Sequence, residues 1–497
     1  MADVAVIGAG FGGLATALTL AEGEARVALF ESLKYPGGCA STFTRRGYHF
    51  EAGATLFSGF DSGQLFDTWI RRHQLPVETH VIDPIVELRA PGFHLPVPTE
   101  RARLIERFCS LPGAPVEGIR RYFARQQQVA DTLWSLFDDP TLLPPFDLRA
   151  LLRHAGRLGS YTTLLPLLGQ PLVKVMARDG VDDFGPLRAF VDAVCQITVQ
   201  TSAAEAEAPF ALSALDYFFR GTRHVRGGIG ELAWGMARAV ERLGGELHFA
   251  DAVRKLERTK HGWRVHSRRG VTEARLVVAN VLPHTLRSML DEDVKAQLSP
   301  IEQSVEEGWG AAMLYLVIPS DVPGVRPEAH HLELIADASA PFQEGNHLFV
   351  SLSGRNEARG PAALENDVPA RRTITVSTHV PMQRLRELGE EEQGHYIAGI
   401  QQRMRATLTK HAPEISEAVL FEMTASPRTF ERFTRRHLGY VGGVPRRAGL
   451  HHYRSLSAPE IARGLFLVGD SVFPGQSTLG TAIGGTRLAT RILRREL

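Results

Sequence analysis

DVAVIGAGFGGLATALTLA, residues 3–21, is a short β-type run that breaks at Gly8-Ala9-Gly10-Phe11-Gly12-Gly13 and continues as a helix-like stretch of small and apolar residues. A second apolar run, Arg26 to Phe30, ends at Glu31, 23 residues beyond Gly8. Strand, glycine turn, helix, strand and acidic residue in that register predict a βαβ dinucleotide-binding unit. Gly8 permits the tight turn, Gly10 lets backbone N–H groups approach a pyrophosphate, and Gly13 lets the helix pack close on the strand. Phe11 and Gly12 complete the turn. The helix N-terminus adds about half a positive charge facing the anion, and Glu31 is placed to accept hydrogen bonds from a ribose diol. The same reading argues against a secretory leader, because the apolar run follows Asp3 rather than a basic start.

The rest of the chain sets bounds on this unit. With 497 residues there is material for two to four domains of about 150 residues. Hydrophobic residues make up 44% and charged residues 22%, which fits a globular chain and excludes wholesale disorder. A net charge of +1 supplies no field for sequence-independent nucleic-acid binding, so no nucleic-acid partner is expected. Cys39, Cys109 and Cys195 are odd in number and far apart, which fits neither a disulfide framework nor a cysteine metal site and suits a reducing, cytoplasmic compartment. Uncharged stretches such as Leu158 to Val173 are too short for a transmembrane helix and are broken by Pro166 and Pro171. Peripheral membrane contact stays open.

Downstream of Glu31, Pro36-Gly37-Gly38 leads into CASTFTRRGYHFEAGATLF, residues 39–57. The extended pattern GxGxxG, E, GG and FExG resembles the flavoprotein superfamily of amine oxidases and carotenoid desaturases. The resemblance implies that the ligand is FAD rather than NAD. It also implies that the segment holding Gly38, Cys39 and Ala40 lies against FAD phosphate or ribitol, and that Gly53, Ala54 and Thr55 lie near the isoalloxazine ring. Cys39 stands where many relatives carry a basic residue.

The C-terminal stretch GLFLVGDSVFPGQSTLGTAIGGTRLATRIL, residues 464–493, again reads strand, turn, helix. Its GDSVFPGQ form, residues 469–476, is similar to carotenoid isomerases and the related end-group desaturases, and less like amine oxidases. By that resemblance Asp470 bonds the ribitol chain, Thr478 and Leu479 approach the flavin ring from a helix N-terminus, and Gly469 and Gln476 belong to the same site. A helix start there supplies N–H donors and positive potential, which favour the negative charge of a reduced flavin. The strand containing Val253 is implied to supply backbone contacts to the adenine. Ser477-Thr478-Leu479 departs from the small, glycine-containing run of the family.

Between these motifs, short extended runs around Pro91-Gly92 predict a hairpin within residues 81–98, and Ile119 to Phe137 has the spacing of an amphipathic helix. Tyr161 to Met176, broken by prolines and a glycine, suits short helices lining an apolar entrance. HVRGGIGEL, residues 224–232, precedes another helix, and its glycines follow a basic loop rather than a buried strand, which counts against a second nicotinamide domain. Residues 426–434 read as a loop, and Arg359 to Arg372 as a polar surface excursion.

The expected fold class is α/β: a Rossmann-like FAD-binding domain assembled from residues 1–75, 225–290 and 456–497, with a mixed α+β substrate domain from 76–224 and 291–455. The adjacent pairs His330-His331 and His451-His452 would face opposite ways on a strand, so no metal site is expected, and no residue is assigned a catalytic role. FAD would itself accept the hydride, leaving the protein mainly to position a hydrophobic, polyene or lipid-like substrate. Desaturation of a carotenoid-like polyene is favoured slightly over cis–trans isomerisation. The alternatives are an amine oxidase, a lipid or retinoid saturase, and a flavin-binding protein without turnover. Oligomeric state is open.

Overall fold

The computed structural model describes the chain except Ala54, Pro145, Asp147, Asn356 and residues 359–369; of Pro140, Asp293, Arg454 and Ser455 only the backbone is described. Two large sheets organise it. The first has eight strands, six of them in the order Val253–Thr259, Gly262–Ser267, Val271–Ala279, Ala2–Ile7, Val27–Phe30, Glu246–His248. Leu465–Leu467 joins the far end of Val271–Ala279 in parallel, and Glu460–Ala462 pairs with it. The central strands are parallel and buried on both faces, which is why they are short, nearly continuous apolar runs. All eight come from residues 2–30, 246–279 and 460–467. Helix Phe11–Glu22 covers one face and lies against the C-terminal helix Thr478–Arg495. Small residues set that approach: a Cβ on Gly485 would stand 2.2 Å from the carbonyl oxygen of Gly12.

The second sheet has seven strands, in the order Phe421–Ala425, Trp309–Pro319, Arg371–Pro381, His347–Leu352, His330–Ile335, Val86–Ala90, Phe93–Val97. It is antiparallel except where His330–Ile335 runs alongside Val86–Ala90. The last two strands are the hairpin expected around Pro91-Gly92, with Gly92 at φ +84° in the turn. One face carries Leu314, Leu332, Leu334, Val350 and Val376 against Ile400, Met404 and Leu408 of helix Glu390–His411. The opposite face, alternating with it, carries Met313, Tyr315, His331, Glu333, Phe349, Thr375 and Ser377. Helices Val116–Phe137, Leu172–Asp179, Gly185–Thr198 and Ala208–Ala214 pack together in the largest core.

Three local expectations need correction. SPRTFERFT is not a loop: Pro427–Thr434 is a helix, started by Pro427 in its first turn and a reciprocal cap between Ser426 and Thr429. Within Tyr161 to Met176 the chain is broken as expected, but Leu167, Leu172, Val175 and Met176 are buried in the core and line no exposed entrance. The exposed apolar side chains are Leu165 within this stretch and, upstream of it, Phe146, Leu148, Leu151, Leu152 and Leu158. Of the excursion expected over 359–372, residues 359–369 lie outside the described residues. Arg372 is fully buried, its guanidinium donating to the carbonyls of Ser353 and Glu328, each at 2.7 Å, and of Arg326.

Glu333 is fully buried on the inner face of the second sheet, and neither carboxyl oxygen has a hydrogen-bond partner among the described residues. Burial alone pushes its pKa up to about 8. Because the folded value lies above the unfolded one, the folded state retains the proton and stability is lost as pH rises from about 4.5 towards 8. Glu333→Gln should therefore gain stability relative to the parent by about 1.4 kcal/mol per pH unit across that window. Denaturant midpoints between pH 4.5 and 8 check this, and a difference that does not change with pH contradicts it.

Candidate functional site

At the carboxyl ends of the parallel strands, the chain leaves Ala2–Ile7 through Gly8, whose φ of +95° only glycine adopts at low cost. A Cβ at Gly13 would lie 1.9 Å from the Gly8 carbonyl oxygen, so the helix that follows can approach the strand only without a side chain there. Gly10 is the N-cap of that helix and no side chain caps it, which leaves its first-turn N–H groups facing the cleft. A Cβ on Gly10 would meet the Asn280 amide nitrogen at 2.9 Å, and one on Gly12 the Asn280 oxygen at 2.7 Å. Asn280, at the end of strand Val271–Ala279, donates its side-chain N–H to the Gly8 carbonyl at 3.3 Å and so braces the turn.

Glu31 ends the second strand, and its carboxylate is held on two sides. Oε2 accepts the Ala9 N–H at 2.8 Å, while Oε1 accepts the Leu33 N–H at 2.8 Å and the Ser32 hydroxyl at 3.0 Å. A carboxylate has room for about four hydrogen bonds, so capacity remains for a hydroxyl arriving from the cleft.

The cleft between these elements encloses about 1260 Å³ of space between atoms, its open mouth included. Of the residues expected from the sequence, Gly8, Gly10, Phe11, Gly12, Glu31, Gly38, Cys39, Ala40, Val253, Gly469, Asp470, Gln476 and Thr478 line it. Gly13 lies behind the turn, where it sets helix packing. Gly53 does not line the cleft and packs near the Cys39 carbonyl; Leu479 is buried in the core beside Gly59. Thr55 lines a separate, smaller polar pocket with Glu51, His224 and Glu357, and Ala54 lies outside the described residues.

At the far end, Gly469 at φ +110° brings the C-terminal strand–helix turn against Gly12. The Asp470 carboxylate pairs with the Arg436 guanidinium at 2.7 Å, and Arg436 also donates to the Tyr440 carbonyl. Gln476 donates to the Val444 carbonyl at 2.9 Å. The Ser477 hydroxyl caps helix Thr478–Arg495 by accepting the Gly480 N–H at 2.9 Å, and the Thr478 hydroxyl is buried without a partner among the described residues. Burial holds the Cys39 thiol above its ordinary pKa, so it is a poor thiolate.

The sequence reading missed Asn280, Arg436 and Ser477, all of which line the cleft. A lone amide after a strand and one arginine among several carry no spacing signal. Only Ser477 was detectable, as a serine just ahead of a helix.

The glycines at 227–230 play a different part. The Glu51 carboxylate accepts the Ile229 N–H at 2.8 Å and the Thr42 hydroxyl at 3.2 Å, and Thr42 accepts the Gly230 N–H at 2.9 Å. This helix N-terminus is plugged from within the fold, and a Cβ on Gly228 would stand 2.4 Å from the Thr42 oxygen. Burial pushes the Glu51 pKa up to about 8. Glu51 therefore organises backbone, and the first N–H groups of this helix are already taken by Glu51 and Thr42.

The glycine turn, the ribose-side carboxylate and the second helix start fit an extended dinucleotide. Residues 6–71 match the NAD(P)-binding Rossmann-like domain family. The chain is 25% identical to the chloroplastic prolycopene isomerase of Arabidopsis thaliana, over 99% of this chain and 82% of that one. It is 23% identical to the neurosporene-forming phytoene desaturase of Cereibacter sphaeroides, over 98% and 93%. Its fold is similar to that of a putrescine oxidase crystallised with putrescine, with a TM-score of 0.64 over 99% of each chain at 17% identity. The cofactor is FAD.

Gly10→Val should yield folded protein that purifies without flavin absorbance, because the added side chain meets Asn280 and blocks the backbone's approach to the pyrophosphate. Full yellow colour in that variant would show that this turn is not the phosphate seat. Glu31→Ala, which removes the ribose hydrogen bonds along with those from the Ala9 and Leu33 N–H groups, should weaken FAD binding by at least about 1–3 kcal/mol, read as a rise in the dissociation constant by flavin fluorescence.

Proposed function

We propose that this FAD-dependent oxidoreductase of the carotenoid desaturase and isomerase family acts on a hydrophobic conjugated polyene, with desaturation as its reaction. The observation that carries the reading is the C-terminal turn. Gly469, Asp470 and Gln476 face the nucleotide cleft, while Phe473 of the same turn packs with Phe137 and Phe210 at ring distances of 5.8 and 5.9 Å. One short segment thus joins the polar cofactor groove to an aromatic layer of the kind a polyene would meet.

FAD, when bound, supplies hydride acceptance. The chain's own residues do the positioning. N–H groups at the start of helix Phe11–Glu22 receive the pyrophosphate, and Glu31 receives the ribose hydroxyls. The Asp470 carboxylate, paired with Arg436 at 2.7 Å, accepts hydrogen bonds from the ribitol side. The start of helix Thr478–Arg495 presents positive potential to the ring end. Gly53 and Thr55 do not line the cleft and take no part in this positioning. Desaturation would pass one substrate hydrogen to the flavin as hydride and release the neighbouring one to solvent as a proton, with a new carbon–carbon double bond formed between the two carbons.

Similarity to prolycopene isomerases favours a second reading, cis–trans isomerisation, which conserves product mass. Anaerobic mixing of the oxidised enzyme with candidate carotenoids separates the two. Bleaching of the flavin with a product of longer conjugation supports desaturation. Turnover appearing only after reduction, with unchanged product mass, supports isomerisation. Bleaching by amines alone would replace both with an amine oxidase.

Among the described residues no helix is long and apolar enough to cross a membrane. Access to a lipid-dissolved substrate is assigned instead to the exposed apolar surface at 146–165, where Leu148 and Leu152 of helix Leu148–Ala155 are 74% and 67% exposed. Burying several such side chains at about 25 cal/mol per Å² gives several kcal/mol of affinity for a bilayer surface. The parent should float with neutral liposomes, and a variant with serine at 148, 151 and 152 should stay in the aqueous fraction. Equal flotation of both would remove this surface from the reading.

A further inference from the structure

The C-terminal helix carries a second constellation, away from the nucleotide cleft. Arg487 and Arg491 lie four residues apart on one face of Thr478–Arg495 and line a crevice closed on its other side by Thr141, Leu143 and Pro144. Arg487 is only 5% exposed. Its Nη2 donates to the carbonyls of Pro144 and Leu456, but its Nη1 is buried with no partner, and so is the Nε of Arg491, among the described residues. No carboxylate pairs with Arg487 among those residues, and Glu460 approaches Arg491 no closer than 3.7 Å. Burial and the neighbouring Arg491 lower the pKa of Arg487 to about 10, still well above neutrality, so Arg487 stays charged.

Unpaired guanidinium N–H groups in a protein interior are costly unless something accepts from them. The last-turn helix dipole accounts for Arg494 and Arg495, but Arg487 sits mid-helix, beyond its reach. Two guanidinium forks on one wall suit a tetrahedral oxyanion, which accepts several N–H bonds at once. The opposite wall decides where such an anion comes from. Helix Leu148–Ala155 is fastened to that wall, with His154 bonded to the Leu142 carbonyl at 2.9 Å and Arg153 to the Thr141 hydroxyl at 2.8 Å. The helix bearing exposed Leu148, Leu151 and Leu152 therefore sits beside the crevice.

We propose that the crevice lined by Arg487 and Arg491 is a phosphate seat that takes the headgroup of an anionic phospholipid while the adjoining leucines enter the bilayer surface. The seat stands on the arginines alone; only the source of the phosphate rests on the interfacial reading above. The test uses FAD-loaded protein, so that the nucleotide cleft is closed to the probe. Inorganic phosphate should raise the unfolding temperature above that in chloride of equal ionic strength, and Arg491→Gln should lose most of that rise. Phosphatidylcholine vesicles containing phosphatidylglycerol should bind the parent about fivefold more tightly than Arg491→Gln. Pure phosphatidylcholine vesicles should bind the two alike. Arg487→Gln should behave as Arg491→Gln does where it folds; Arg491, partly exposed, carries the test where it does not. Equal unfolding temperatures in phosphate and chloride would overturn the seat. Stabilisation by phosphate without any gain from phosphatidylglycerol would overturn the lipid source. Unchanged binding of the leucine variant to neutral vesicles, with the phosphatidylglycerol increment intact, would tell against the interfacial reading and leave the arginines in place.

Discussion

The contact on which the structure depends is the approach of one backbone to another at Gly8 and Gly13. No side chain larger than hydrogen fits where a Cβ would lie 1.9 Å from a carbonyl oxygen. That approach lets helix Phe11–Glu22 start directly beneath the strand, and its free N–H groups then face the cleft. Gly12 repeats the device in two directions, towards Gly469 and towards Gly485, so that the C-terminal strand and helix close on the same turn. Asn280 fills the remaining gap. Four backbone segments far apart in sequence meet around one residue-sized space, and the cofactor groove is what is left between them.

Charge is handled differently at each buried site. Asp470 and Arg436 pair beside the cleft at 2.7 Å. Glu51 receives two hydrogen bonds and a helix N-terminus, yet burial still wins and the proton stays near neutrality. Glu333 receives no hydrogen bond among the described residues and costs stability. Arg372 is satisfied by carbonyls alone, whereas Arg487 is satisfied only in part. The contrast separates groups that organise backbone from groups whose bonding is incomplete.

How much of this could be read beforehand follows from what each feature requires. The βαβ unit was legible because its glycines, strand and Glu31 are local and lie at fixed spacing. The hairpin at Pro91-Gly92 and helix Val116–Phe137 were legible through turn chemistry and apolar period. Helix Pro427–Thr434 was read as a loop because its polar, arginine-rich face hid the start signal at Ser426-Pro427. Arg372 looked like surface because a buried arginine bonded only to carbonyls leaves no partner in the sequence. Asn280 and Arg436 became visible only when distant segments met at the cleft. The burial of Leu172 to Met176, and the exposure of Leu148 to Leu152, depended on which face of each short helix met the core, and segments of eight residues give too few turns to fix that.

The meeting of Gly12 with Gly469 and Gly485 also bears on synthesis. A nascent chain exposes its glycine turn well before the surface that completes it, which is translated some 450 residues later. Until then the apolar face of helix Phe11–Glu22 has no permanent neighbour in Thr478–Arg495, and the groove has only one wall. The groove therefore closes only through a contact between residues more than 450 positions apart, and any variant that weakens that contact opens the cofactor site from a distance.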